Sequence, residues 1–165
     1  MDELHRGEGW RPGLIGEVAT LHARHYAASH GFGPEFEAKV ARELAEFTLR
    51  RHPERDFQAW VADGAGIQAH IVLDLTEPGL PDGTAHLRWF IAGPAVRGRG
   101  EGGRLLDAAI AHARLQGLRR ITLWTLDRLE AAASLYARAG FTLAEEVAGT
   151  QWGTTTIERR LALDL

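Results

Sequence analysis

Apolar residues recur at helical spacing along the first third of the chain. Across GLIGEVATLHARHYAASHG (13–31), Ile15, Val18, Ala19 and Tyr26 fall roughly on one face, and Gly31 provides a stop. Across PEFEAKVARELAEFTLRRH (34–52), Phe36, Val40, Leu44 and Phe47 share a face, with Pro34 near the start and Pro53 just beyond the end. The period then shortens. FQAWVADGAGIQAHIVLDL (57–75) is two apolar runs around Asp63-Gly64-Ala65-Gly66, a hairpin signal. TEPGLPDG reads as a loop and AHLRWFIA (85–92) as a third strand. Helical spacing returns in GRLLDAAIAHARLQG (103–117), where Leu105, Leu106, Ala109, Ile110 and Ala113 form a core face capped by Gly117. RITLWTL (120–126) predicts a strand, RLEAAASLYARAG (128–140) a helix ending at Gly140, and FTLAEEVA and TTTIERRLALDL a closing pair of strands. The predicted order is α-α-β-β-β-α-β-α-β-β, a mixed α/β domain. No repeat, low-complexity tract or linker interrupts it, so residues 1–165 are expected to form one domain.

The junction between the third strand and the third helix breaks the pattern. PAVRGRGEGGRLL (94–106) contains three arginines, and four of the six residues 98–103 are glycines, which are entropically costly to order. A glycine loop leading into a helix offers free backbone N–H groups and the positive end of the helix dipole. Arginines add charge-assisted hydrogen bonds to phosphate. The stretch Arg97-Gly98-Arg99-Gly100-Glu101-Gly102-Gly103 therefore reads as a phosphate cradle, against the plainer reading of a flexible turn with solvated arginines. A Walker loop is excluded by the missing Gly-Lys-Ser/Thr. A dinucleotide fingerprint would need an acidic residue on the next strand, and ITLWTL has none.

Composition narrows the classes. With 45% hydrophobic and 25% charged residues the chain is ordinary for a globular protein, so disorder is not the default. The net charge of −3 disfavours a broad grip on nucleic acid or an anionic membrane, and confines any anion site to a local patch. The absence of cysteine removes disulfides, thiolate metal sites and cysteine nucleophiles. All but one of the 19 basic residues are arginines, the exception being Lys39. The polar, acidic start MDELHRGEGW lacks signal-peptide character, and no apolar run is long enough to span a bilayer, so a cytoplasmic location is expected.

Two stretches carry a resemblance to a known family. Arg97-x-x-Gly100-x-Gly102 resembles the (Gln/Arg)-x-x-Gly-x-(Gly/Ala) signature of GNAT-family N-acetyltransferases, and AAASLYARAGF resembles their second hallmark, Ala-x-x-Leu-Tyr-x-x-x-Gly-Phe. The resemblance extends over nearly the whole chain. It implies that AHLRWFIA is the fourth strand, with a short first strand around RPGLI. YAASHGFGPEFEAKVA, ITLWT and the WG…LALDL end are most similar to the GNAT domain of bacterial MarR/GNAT two-domain proteins, here without the DNA-binding part.

The resemblance implies acetyl-CoA as cosubstrate, with no metal. Its pyrophosphate would lie on Arg97, Gly98, Arg99, Gly100, Gly102 and Gly103, its pantetheine along Phe90, Ile91 and Ala92, and a strand amide at Ile91 or Ala92 would polarise the thioester. Tyr136 would protonate the leaving thiolate; on its own it would read as a core aromatic. For the base, Glu37 is the first candidate, followed by His86, with Tyr26 beside Glu37 in the matched stretch. Two positions depart from the family: Gly93, where close relatives often carry Glu, and Leu129, where the wider family often has Asn. His22, His25 and His30 read as surface histidines rather than a zinc site. Trp60, Trp89 and Trp124 read as core or pocket wall, and Trp152-Gly153 as a turn near the acceptor. The expected activity is transfer of acetyl from acetyl-CoA to a primary amine, a small molecule or a protein lysine, by direct attack. The alternative is a catalytically impaired acyl-CoA sensor. No nucleic-acid or membrane partner is expected, and a homodimer would be in keeping with the family.

Overall fold

The computed structural model describes residues 3–165. The elements in chain order are β1 (His5–Glu8), α1 (Leu14–His30), α2 (Pro34–Arg50), β2 (Phe57–Asp63), β3 (Gly66–Asp74), β4 (Thr84–Ala92), α3 (Glu101–Leu115), β5 (Arg120–Leu126), α4 (Glu130–Ala139), β6 (Thr142–Gly149) and β7 (Thr156–Asp164). The seven strands form one sheet in the order β1-β2-β3-β4-β5-β7-β6, so AHLRWFIA does lie on the fourth strand. The first strand is His5–Glu8 rather than RPGLI, because it pairs antiparallel with β2 from His5↔Ala62 to Glu8↔Ala59. RPGLI instead turns into α1 through Gly13, whose φ is +87°.

Helices cover both faces of the sheet. On one side α1 and α2 contribute Leu14, Val18, Leu44 and Phe47, packed on Ala62, Ile67 and Val72. On the other, Leu105, Leu106, Ala109, Ile110 and Ala113 of α3 pack on Ile71, Leu73, Leu87 and Ile121. Val72 thus faces one helical layer while its neighbours Ile71 and Leu73 face the other. This double coverage explains the unbroken apolar run IVL in β3.

Between β4 and β5, the one parallel pair, the register runs only from Thr84↔Arg120 to His86↔Thr122. Both strands continue beyond it, to Ala92 and Leu126, without pairing to each other. Opposite the gap, β4 carries a bulge: His70 faces Ile91 and Val72 faces Arg88, leaving Trp89 and Phe90 against Ile71 alone. Trp89 sits at φ +46°. Its carbonyl accepts the Nδ1–H of fully buried His70 at 2.9 Å, and Gln58 Nε2 donates to His70 Nε2 at 3.1 Å. A carbonyl can only accept, so this bond fixes the His70 tautomer.

Candidate functional site

A cavity of about 470 Å³ opens where β4 and β5 part. Its walls come from α1 and α2 (His22, Tyr26, Phe36, Lys39), from β4 (His86 to Phe90) and from β5 (Trp124 to Leu126). Leu129, Ala132 and Tyr136 of α4 and its N-cap, and the β6–β7 turn with the head of β7 (Gln151, Trp152, Glu158), complete the lining.

Tyr136 owes its place to how α4 ends. Gly140 adopts φ +97°, its N–H bonds to Ala137 O at 3.1 Å, and Phe141 N–H bonds to Tyr136 O at 3.0 Å. This is a Schellman cap, whose usual companion is an apolar contact across the turn. Here the contact is the Phe141 ring edge-on to Tyr136, with centroids 5.6 Å apart, while Phe90 packs edge-on at 5.9 Å from the β4 bulge. The Leu-Tyr-x-x-x-Gly-Phe pattern is therefore a cap and a clamp on one tyrosine. Burial pushes the Tyr136 hydroxyl well above its ordinary pKa, so it holds its proton at neutral pH.

The glycine loop lies on the other side of β4's free end. After a short 3₁₀ turn at Pro94–Val96, Arg97 to Gly100 are exposed, and α3 begins at Glu101, two residues earlier than its apolar periodicity indicated. Gly100, at φ +77°, caps α3 with no side-chain hydrogen bond, and the first helical bond runs from Arg104 N–H to Gly100 O at 3.0 Å. The amides before it are left without helical partners. Gly102 is the joint between the loop and the cavity wall. A Cβ there would lie 3.4 Å from Leu135 Cδ1 and 3.7 Å from both Ala92 Cβ and Phe90 Cζ. Ile91 itself is buried in the sheet.

Glu101 looks misplaced in an anion cradle, and tertiary structure resolves the conflict. Its side chain is 3% exposed and turned under the loop, where Arg6 of β1 binds it through Nη2 at 2.5 Å and Nε at 3.1 Å. That hydrogen bond with Arg6 holds the Glu101 carboxyl below its usual range. Arg97, Arg99 and Arg104 remain at the surface. Arg97 Nη2 approaches His25 Nδ1 at 3.4 Å, and His25 is made less basic by desolvation and then by the Arg97 charge. An uncapped helix start, glycines and surface arginines fit a pyrophosphate, and the one acidic group is neutralised from beneath.

The base candidates separate. Glu37 is exposed on α2 and does not line the cavity, because the helix turns Phe36 and Val40 inward instead. Tyr26 and His86 do line it, but His86 Nδ1 is bonded to Glu77 Oε2 at 2.5 Å. At Gly93 a side chain would be crowded: a Cβ would lie 3.0 Å from Leu21 Cδ1 and 3.1 Å from Gln68 O. Leu129 takes the N-cap position of α4 without a side-chain hydrogen bond and packs with the Phe32, Phe36 and Val40 cluster. The three N-terminal histidines diverge. His22 Nδ1 donates to Val18 O, His25 meets Arg97, and His30 Nε2 reaches Asp127 O. His22 is also buried rather than at the surface, and it lines the cavity. Trp89, Trp124 and Trp152 are cavity wall, whereas Trp60 packs over Gly7 and donates to Gly9 O. Glu158, buried in the cavity wall, escaped sequence reasoning because a glutamate in an alternating strand looks solvent-facing.

Comparison with known structures bears out the fold. A GNAT-family protein from Desulfovibrio desulfuricans superposes with a TM-score of 0.73 at 19% identity, covering 98% of this chain and 99% of its own. A Salmonella typhimurium relative solved with its cofactor acetyl-CoA gives 0.67 at 17%, covering 98% and 94%. Spermidine N-acetyltransferase from Vibrio cholerae, solved with CoA and spermine, gives 0.68 at 18%, covering 98% and 95%. No curated protein sequence matches the chain. The family model described as acetyltransferase (GNAT) family matches residues 18–141, most of the chain and both signature stretches, and the protein belongs to that family.

Proposed function

We propose that the protein, acting as one domain over residues 1–165 in the cytoplasm, transfers acetyl from acetyl-CoA to a primary amine by direct attack. The observation that carries this reading is the junction at Gly102, where the uncapped start of α3 meets the bulged end of β4 and the helix bearing Tyr136. Arg97 to Gly103 would hold the pyrophosphate, and Phe90 to Ala92 would receive the pantetheine in the gap that β5 leaves. An amide at Ile91 or Ala92 would then polarise the thioester carbonyl. Tyr136, kept protonated by burial, supplies a proton as the sulfur departs. Relatives solved with acetyl-CoA, and with CoA and spermine, support the choice of cosubstrate and of an amine acceptor. With no cysteine in the chain, no thiol can carry a covalent acyl intermediate. Kinship to the GNAT domain of MarR/GNAT proteins is part of the same proposal.

Charge reversal tests the cradle. Arg97→Glu is expected to weaken acetyl-CoA binding in calorimetry by about tenfold or more, since one charge-assisted contact becomes a repulsion; unchanged affinity refutes the phosphate assignment. The crowding at Gly93 favours a second reading, an acyl-CoA sensor without its customary base. Both readings expect CoA to raise Tm, but only the enzyme releases free thiol when amines are supplied.

A further inference from the structure

Glu158 on β7 is 5% exposed and lines the cavity. Its Oε2 accepts a hydrogen bond from Gln151 Nε2 at 2.6 Å, while Oε1 is buried without a partner. Space for Oε1 depends on the facing strand: a Cβ at Gly149 of β6 would lie 2.2 Å from it. The other two carboxylates on the cavity wall already have cations. Glu43 pairs with Lys39 and Arg88, and Glu77 with His86 and Arg88. Among the described residues, Glu158 has only the neutral Gln151. A buried carboxylate oxygen without a protein partner is costly unless a donor reaches it, and a cationic donor offsets most of that cost. His22, which also lines the cavity, is neutral and lacks the charge to attract one.

The geometry points to Glu158 as the group that anchors the ammonium of the acceptor and takes its proton. This rests on the acyltransferase reading and adds the base that Gly93 and the exposed Glu37 leave open. It also narrows the acceptor. Phe36, Trp89, Trp124 and Trp152 give the cavity an aromatic wall, and its Lys39 and Arg88 are already paired, so among the described residues its lysine and arginine are not free for a carboxylate. The matching substrate is a small primary amine with an aromatic or apolar body and no adjacent carboxylate. Within the cavity one proton passes from the ammonium to Glu158, leaving neutral acid and neutral amine. The amine lone pair then forms the C–N bond to the acyl carbon as the C–S bond breaks. Tyr136 gives its proton to the sulfur and recovers the surplus one from the new amide nitrogen, leaving Glu158 to release one proton to solvent.

The test measures thiol release with 2-phenylethylamine and with phenylalanine, which is the same amine bearing a carboxylate. Calorimetry supplies the affinities for acetyl-CoA and, with CoA present, for 2-phenylethylamine. The unaltered chain is expected to favour 2-phenylethylamine by about 100-fold or more in kcat/KM. Glu158→Gln keeps the shape and the Gln151 contact; its kcat/KM should fall by about 10²–10⁴, and its amine Kd should rise by about tenfold, with acetyl-CoA affinity unchanged. Gly149→Ala displaces the carboxylate without removing it, and should raise KM by about tenfold, which carries the test if Glu158→Gln does not fold. The assignment is overturned if Glu158→Gln folds and turns over 2-phenylethylamine like the unaltered chain, or if Gly149→Ala leaves KM unchanged. Equal use of phenylalanine, or no turnover of 2-phenylethylamine by a chain that binds acetyl-CoA, overturns the substrate class. Failure of the unaltered chain to bind acetyl-CoA overturns the acyltransferase reading instead.

Discussion

Gly93 shows how local packing can constrain a single residue. Its N–H is held by Gln68 O at 2.8 Å, and Leu21 of α1 packs where a side chain would begin. Restoring a larger residue should therefore not restore a base. Gly93→Ala is expected to lose about 1–3 kcal/mol of stability through overpacking, read as a lower denaturant midpoint with no gain in thiol release. A rise in activity at unchanged stability would contradict this account. Glu101 is the complementary case: this acidic residue at the end of the glycine loop is paired with Arg6, 95 residues away in sequence, from a strand no motif contains.

At the scale of elements, the end of α4 and the bulge in β4 are matched devices that aim groups at the cavity. Gly140 needs a positive φ, and a Cβ there would also press on Leu163 Cδ1 at 3.3 Å. Gly140→Ala is expected to cost about 1–2 kcal/mol, lowering Tm by roughly 2–8 °C in a chain of this size. Because Phe141 N–H and its ring hold Tyr136, kcat should fall as well, while acetyl-CoA affinity, which the proposed cradle on α3 would set, should stay close to unaltered. Equal losses in kcat and affinity would show that the cap does more than position the tyrosine. The signature around Gly140 was legible because a Schellman cap needs its glycine at a set distance from the helix it ends. The β4 bulge was not legible, because it depends on His70 and Gln58 from neighbouring strands.

For the whole molecule, two buried histidines tie the site to global stability. Burial lowers His70 to about 3 and His22 to about 4, against an unfolded value near 6.5. The folded state binds fewer protons than the unfolded one in the interval between, so stability falls as pH drops below about 6.5 and the loss is complete only below about 3. Thermal unfolding from pH 7 to pH 4 should show a declining Tm, and His22→Gln should flatten part of the decline. A flat profile in the unaltered chain would mean that neither ring is buried neutral.

Most elements, their order and the two signatures were written in local pattern. Apolar period distinguishes helix from strand, and glycines mark caps and tight loops wherever the backbone demands them. Arg97 to Gly103 stood out from that pattern alone, whereas Tyr136 became a candidate only through the resemblance of the stretch around it to a family hallmark. Tertiary structure decided what local pattern does not encode. It assigned the first strand to His5–Glu8 because pairing with β2 outweighs a weak local signal. It turned Glu37 to solvent, since one apolar stripe fixes which face of α2 is buried, and it turned Glu158 into the cavity, since Thr156 and Glu158 share the covered face of β7 while Ile157 between them is exposed. Helix starts and caps are short-range and can be read along the chain. Which carboxylate lines the cavity depends on long-range packing, which only the folded sheet decides.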